Sequence, residues 1–331
     1  MELRRVVNVL LARITGYHLS RPPADRDWRY PSPERLNRLL TRLTGYQLSR
    51  PRITRVRHVR PAPGGRLLEA PVFILSAARS GSTLTRMILG SHSRLYAPPE
   101  LPLKQLGVRA ETSWIRASIE AFGLSAEELD FLLWDRILAE SLERSGKLTI
   151  VVKTPSNVLI WEQIAACWPD ARFIVLLRHP AAAVASLQAS WDPAWHPDGS
   201  GTLDESVGKA LRYMIKVEEA RRTLPALTVR YEDLTADPET QTRRMCDFLG
   251  VPYEPAMLDY GKFDHTDLVA GLGDSSENIR SGRIQAAAPL PADIPAELTE
   301  MCLTWGYLEP EMASGQGSTH QTGAGNQDRS E

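Results

Sequence analysis

The segment Arg79-Ser80-Gly81-Ser82-Thr83-Leu84 follows directly on the apolar run Val72-Phe73-Ile74-Leu75 and the small residues Ser76-Ala77-Ala78. A buried strand that runs through a small-residue turn into a helix start aims backbone N–H groups and the positive helix end at one point, where an anion binds. Ser82 and Thr83 add hydroxyl donors and Arg79 adds a charge. The chemistry that this combination suits is phosphate binding; the alternative is a plain helix cap. The turn is not a GxxxxGK[ST] loop, because no lysine lies between residues 66 and 103. Nothing there reaches the β- and γ-phosphates of a nucleoside triphosphate, which disfavours that ligand.

The elements that must hold this turn are legible from residue 71 onward. Short apolar strands at 72–75, 149–152, 173–177 and 226–229 alternate with helical stretches, the pattern of a parallel α/β sheet. Helices are expected from about Ser82 to Leu89, across 113–145 with Leu129, Leu132, Leu133 and Ile137 at helical spacing, and in the alanine-rich stretch to Ala189. Another starts at Asp237-Pro238-Glu239, a cap residue, a first-turn proline and an acid, and stops at Gly250. Arg79, Lys153, Arg178 and Tyr231 each fall at or just beyond the C-terminal end of a predicted strand. In an open parallel sheet those ends share one edge, where ligands bind. A residue that merely caps its own strand is common; four of them converging by accident is improbable.

The ordered set resembles the sulfotransferases that use 3′-phosphoadenosine-5′-phosphosulfate (PAPS), most closely the bacterial and tyrosylprotein-type branch, over roughly residues 71–285. Arg79 to Leu84 resembles that family's 5′-phosphosulfate loop. Arg178, with Ser186 eight residues on, is similar to the pair that holds the 3′-phosphate. Val229-Arg230-Tyr231-Glu232-Asp233-Leu234 is similar to the strand-end segment near the nucleotide. The resemblance implies a P-loop-like three-layer α/β fold, a central parallel sheet flanked by helices. It also implies in-line transfer of a sulfuryl group to a hydroxyl, with PAPS as co-substrate and no metal. Three cations at one sheet edge suit a ligand with phosphate at two positions and a sulfate.

Sulfuryl transfer needs placement, neutralisation of charge on the leaving phosphate and removal of the acceptor's proton. Glu100, in Tyr96-Ala97-Pro98-Pro99-Glu100-Leu101-Pro102, sits in a stiff proline-flanked loop that can fix a carboxylate. It matches the glutamate that serves as base in the tyrosylprotein-type enzymes. His92 is a rival base by its titration range, although its place near a helix end favours a structural role. Lys153, in Val152-Lys153-Thr154-Pro155, resembles the family's catalytic lysine and would stabilise the bridging oxygen. Arg280 and Arg283, in a polar glycine-containing segment, correspond to a basic stretch that adds 3′-phosphate contacts; the alternative is a solvated loop. Trp191 and Trp195 lie in a long loop that serves either as a lid or acceptor platform or as packing. Trp114, Trp134, Trp161 and Trp168 are expected in the core.

The whole composition sets outer limits. The 331 residues are 43% hydrophobic and 24% charged, with a formal net charge of −1. That balance argues against a nucleic-acid binder and leaves room for a small anion held by local arginines. Cys167, Cys246 and Cys302 are widely spaced and form no CxxC or Cys/His cluster, so neither a metal site nor a disulfide framework is expected. A reducing, cytoplasmic setting follows. No apolar run reaches the ~18–20 residues that cross a bilayer, and the first residues suggest an amphipathic helix rather than an export signal. The expected organisation is a helical extension over 1–65, a sulfotransferase domain over 66–310 and a disordered tail over 311–331. The extension repeats the segment Leu10 to Pro22, ending Thr15-Gly16-Tyr17-His18-Leu19-Ser20-Arg21-Pro22, as Leu39 to Pro51, ending Thr44-Gly45-Tyr46-Gln47-Leu48-Ser49-Arg50-Pro51. The acceptor is a hydroxyl on a small molecule, carbohydrate, lipid or peptide, which fold does not choose among. The competing readings are a P-loop kinase or NTPase, and a non-catalytic nucleotide-binding scaffold.

Overall fold

The computed structural model describes residues 18–20, 47–49, 66–189, 202–263, 276–291 and 293–309. Two compact units divide the chain, residues 1–58 and 59–331. In the first, strands β1 (His18–Ser20) and β2 (Gln47–Ser49) pair antiparallel, with Leu19 opposite Leu48. These are the same three positions of the two sequence repeats, so the extended exits pair with each other. The expected N-terminal helix, the 191–199 loop and the tail after about residue 311 lie outside the described residues.

The second unit is built on a parallel sheet. Its strands are β3 (Val72–Ser76), β4 (Leu95–Tyr96), β5 (Thr149–Lys153), β6 (Arg172–Leu177) and β7 (Ala226–Arg230), in the order β4-β5-β3-β6-β7. All neighbours run parallel. The three central strands are apolar at nearly every position because both of their faces are covered. Phe73, Leu75, Ile150, Val152, Phe173 and Val175 join one core cluster. The intervening Val72, Ile74, Val151, Ile174 and Leu176 join the other. That alternation places helices on both sides and makes three layers.

Helix α1 (Ser82–Gly90) packs on one face with α8 (Pro238–Leu249), through Met87, Ile88, Met245 and Leu249. On the other face lie α3 (Ala126–Ser145), α4 (Trp161–Cys167), α5 (Pro180–Ala189), α6 (Leu203–Thr223) and α10 (Ala296–Thr304). Their core contributions include Phe131, Ile164, Val184, Met214 and Leu298. Asp237 caps α8 by accepting from Thr240 N at 3.1 Å, and Gly250 ends it in the left-handed region at φ 66°. Helix α7 (Tyr231–Ala236) follows β7, and the short α9 (Glu277–Arg280) precedes α10.

Two expectations need correction. The helix expected across 113–145 is two helices, α2 (Ser113–Ala121) and α3. Gly123, at φ 76°, breaks it, and Ser125 starts α3 in a capping box with Glu128. Trp114 is not in the core: it is 76% exposed on α2, a helix with no buried residue. Trp134, Trp161 and Trp168 are buried as expected.

Candidate functional site

The turn after β3 is shaped for an anion. Gly81 occupies the N-cap of α1 at φ 84°, a conformation that costs an L-residue roughly 1–2 kcal/mol. A Cβ there would lie 2.1 Å from Cδ2 of Tyr231, so only glycine lets the Tyr231 ring close against the turn. Arg79 also has positive φ, 63°, without being glycine, and such residues cluster at functional sites. Helix α1 has no side-chain cap and no acid in its first turn. Its leading N–H groups therefore present their partial positive charge to whatever lies beyond Ser82, Thr83 and Leu84.

Arg178, just past the end of β6, is knitted to this turn. Its Nη1 donates to Arg79 O at 2.7 Å, and its guanidinium stacks 4.6 Å from the Tyr231 ring centroid. Arg79 Nε donates in turn to Ser186 Oγ on α5 at 3.2 Å. Burial pulls the Arg178 guanidinium below its ordinary value; Tyr231 and Glu232 oppose that shift and Arg79 adds to it. The next residue is locked as well. His179 N donates to Glu232 Oε1 at 2.9 Å, and Tyr307 OH donates to Glu232 Oε2 at 2.7 Å. Burial lowers the His179 imidazole below its ordinary value.

Glu100 and Lys153 meet. The Lys153 ammonium, 1% exposed at the end of β5, forms an ion pair with the Glu100 carboxylate. It also donates to Thr83 Oγ1 at 3.1 Å. One cation thus links the carboxylate loop to the anion turn. A cavity of about 550 Å³ opens over this constellation, lined by Arg79, Gly81, Ser82, Thr83, Leu84, Glu100, Lys153, Arg178, Ser186, Tyr231 and Arg283 among others. It gathers four cationic side chains and one carboxylate.

Residues 71–255 match the model of a family described as "Sulfotransferase family". The chain belongs to that sulfotransferase family. Nodulation protein NoeE of Sinorhizobium fredii is 26% identical over 246 residues, covering 61% of this chain and 55% of NoeE. Protein-tyrosine sulfotransferase 1 of Danio rerio is 26% identical over 220 residues, covering 62% of this chain and 58% of that protein. The matched regions therefore span a little over half the length of either relative. In fold, the sulfotransferase domain from the curacin biosynthetic pathway superposes with a TM-score of 0.51 at 24% identity, covering 74% of this chain and all of that domain. The fold is the P-loop-like three-layer α/β architecture.

Of the sequence-derived site residues, leaving aside the rival base His92, this chain brings all but two to the cavity wall. Ser80 is buried within the turn, and Arg280 is exposed at the end of α9; neither lines the cavity. His92 is fully buried and committed elsewhere. Its Nε2 pairs with Pro252 O at 2.8 Å, and its Nδ1 accepts from Arg94 N at 2.9 Å. It does not line the cavity. Sequence reasoning missed Tyr260, Asn278, Ile279, Gln285 and Ala286 in the wall. The Tyr260 hydroxyl donates to Ile279 O at 3.2 Å, and Gly261 and Gly282 touch backbone to backbone: a Cβ on Gly261 would lie 2.5 Å from Gly282 Cα. The two glycines were visible in the sequence, but only their contact reveals that they seat this wall. Among the described residues no helix is long and apolar enough to cross a membrane.

Proposed function

We propose that this chain transfers a sulfuryl group from PAPS to the hydroxyl of an acceptor, with Glu100 as general base and Lys153 stabilising the leaving phosphate. The observation that carries this reading is the Lys153–Glu100 ion pair, anchored on Thr83 at the mouth of an anion turn. PAPS bears one phosphate at the 3′ position and a phosphosulfate at the 5′ position, and the cavity offers cations in two groups that suit it. The turn from Arg79 to Leu84 would hold the 5′ end; Arg178 and Ser186, with Arg283 of the same cavity wall, would hold the 3′ end. The donor supplies the sulfuryl group and departs as a stable phosphate anion, so the reading calls on no metal.

The chain's own part is threefold. Glu100 takes the proton from the acceptor oxygen as that oxygen bonds to sulfur. Lys153 offers its ammonium to the bridging oxygen as the sulfur–oxygen bond breaks. The α1 terminus and Thr83 hold the charged group in line. The acceptor class is a hydroxyl, and two relatives show how widely it ranges: their names specify protein tyrosine and an omega-hydroxylated menaquinone.

The test is ligand-specific stabilisation followed by turnover. 3′-Phosphoadenosine-5′-phosphate (PAP) at about 100 times its Kd should add ~2.7 kcal/mol to stability, read as a rise in Tm, whereas ATP with Mg²⁺ should not. Labelled PAPS should then pass its sulfate to at least one of a panel of alcohols, phenols and sugars. Stabilisation by ATP and not by PAP would favour the kinase-like reading; PAP binding without transfer would favour a scaffold.

A further inference from the structure

The loop that carries Glu100 has an unusual hydrogen-bonding problem. In Ala97-Pro98-Pro99-Glu100-Leu101-Pro102-Leu103 three residues are proline and lack an N–H. Such a segment cannot join the sheet beside it, yet its carbonyls still need donors where they are buried. Side chains supply them from two sides.

Arg86, 2% exposed on the third position after Thr83, reaches from α1 and donates through Nη1 to Ala97 O at 3.0 Å and Pro98 O at 3.1 Å. On the other side Thr154 Oγ1 donates to Leu101 O at 3.1 Å. Asn157, 1% exposed, donates through Nδ2 to the same carbonyl at 3.2 Å and accepts from Leu103 N at 3.0 Å. Leu103 N–H is shared with Leu101 O at 2.9 Å. The contacts thus bracket Glu100, two carbonyls before it and a carbonyl and an amide after it.

The donors come from the same two elements that carry Lys153, Glu100's ion-pair partner, and Thr83, to which Lys153 also donates. Arg86 is on the helix that begins at the anion turn with Thr83. Asn157 lies four residues beyond Lys153, in the turn that continues β5. Any shift of the loop relative to Thr83 must break the Arg86 bonds, and any shift relative to Lys153 must break those of Asn157. We infer that Arg86 and Asn157 are positioning residues, which fix the Glu100 carboxylate against both the donor turn and Lys153. The inference rests on the reading of Glu100 as base and adds the residues that make its placement reproducible.

Displacement of a reacting group by about 1 Å can cost roughly 10²-fold in rate. Asn157→Ala should therefore lower kcat about 10- to 100-fold, while the Kd for PAP stays within about threefold, because the PAP-binding groups are untouched. Arg86→Lys keeps the charge but not the fork and should fall between Asn157→Ala and the parent; it also serves if Asn157→Ala folds poorly. The deciding measurement is a double-mutant cycle with Glu100→Gln. If Asn157 acts through Glu100, adding Asn157→Ala to Glu100→Gln should lower kcat by less than about threefold further. Losses that multiply in full, or PAP affinity that falls in step with kcat, would overturn the positioning role. So would parent-like kcat in both Asn157→Ala and Arg86→Lys. Failure of the underlying reading looks different: Glu100→Gln alone would then keep parent-like turnover, which withdraws the base and its positioning residues together.

Discussion

Lys153 touches both halves of the proposed chemistry, because its one ammonium meets the Glu100 carboxylate and the Thr83 hydroxyl. A buried ammonium loses hydration and needs such partners to remain charged. Removing it should harm the transition state more than the ground state, where the turn amides and Arg178 would, on the proposed reading, still hold the nucleotide. Lys153→Ala is expected to lower kcat by roughly 10²–10³-fold while PAP binding, followed by calorimetry, changes little. Parent-like turnover in that variant would remove the lysine from the mechanism. Glu100→Gln keeps the shape of the side chain but cannot take a proton. Its kcat should drop by about 10²–10⁴-fold in the sulfate-transfer assay with PAP affinity retained. A variant that loses both to the same degree would assign Glu100 to binding instead.

At the level of elements, the β3–α1 turn illustrates how backbone conformation can dictate residue type. Gly81 combines a left-handed φ with the face of Tyr231 where a side chain would begin. Gly81→Ala must either push the Tyr231 ring away, breaking its stacking on Arg178, or reshape the turn. PAP affinity should weaken by more than about tenfold, since strain of roughly 1–2 kcal/mol adds to the lost stacking. Calorimetric titration would read this directly, and an unchanged Kd would show that the turn tolerates the shift. Much of this element was legible in advance: a buried strand, a small-residue turn and a helix start are local patterns. The α2–α3 break was also written locally, in Gly123 and the Ser125–Glu128 capping box, but apolar periodicity on both sides masked it.

Across the whole molecule, the C-terminal part of the described chain fastens the sheet edge beside the site. Trp305 Nε1 donates to Glu218 Oε2 on α6 at 3.0 Å, Arg230 donates to Trp305 O, and Tyr307 bonds to Glu232. Burial pushes the Glu218 carboxyl upward, but bonds from Arg221 and Trp305 and the charges of Arg221 and Arg222 outweigh it and hold the group below its ordinary 4.5. A carboxylate depressed in the folded state contributes stability above its unfolded value, and the contribution is lost as pH falls through the folded one. Because both arginines are partly solvated, the contribution is at most about 1 kcal/mol. The Tm advantage of the parent over Glu218→Gln should therefore be present near neutrality and shrink below about pH 4.5. An advantage that stays constant down to strong acid would mean that the ion pairs do not carry it. For the chain as a whole, we propose residues 66–310 as the sulfotransferase domain.

The sequence by itself determined the alternation of strands and helices, the strand–turn–helix segment after β3, and the placing of Arg79, Lys153 and Arg178 near strand ends and of Glu100 in a proline-flanked loop. All of these depend on local geometry, or on a shared rule for where parallel strands end. Only the tertiary structure decided which of them touch. Glu100 and Lys153 are 53 residues apart in the chain, and their pairing depends on the proline loop returning beside β5. The commitment of His92 to Pro252, the absence of Arg280 from the cavity and the Gly261–Gly282 contact are likewise matters of packing between distant segments. Arg86 and Asn157 look like ordinary helix and turn residues until the loop that they hold is folded against them. Hydrogen bonds across such separations leave no periodic trace in a sequence, because their partners are set by the route of the backbone rather than by neighbouring side chains.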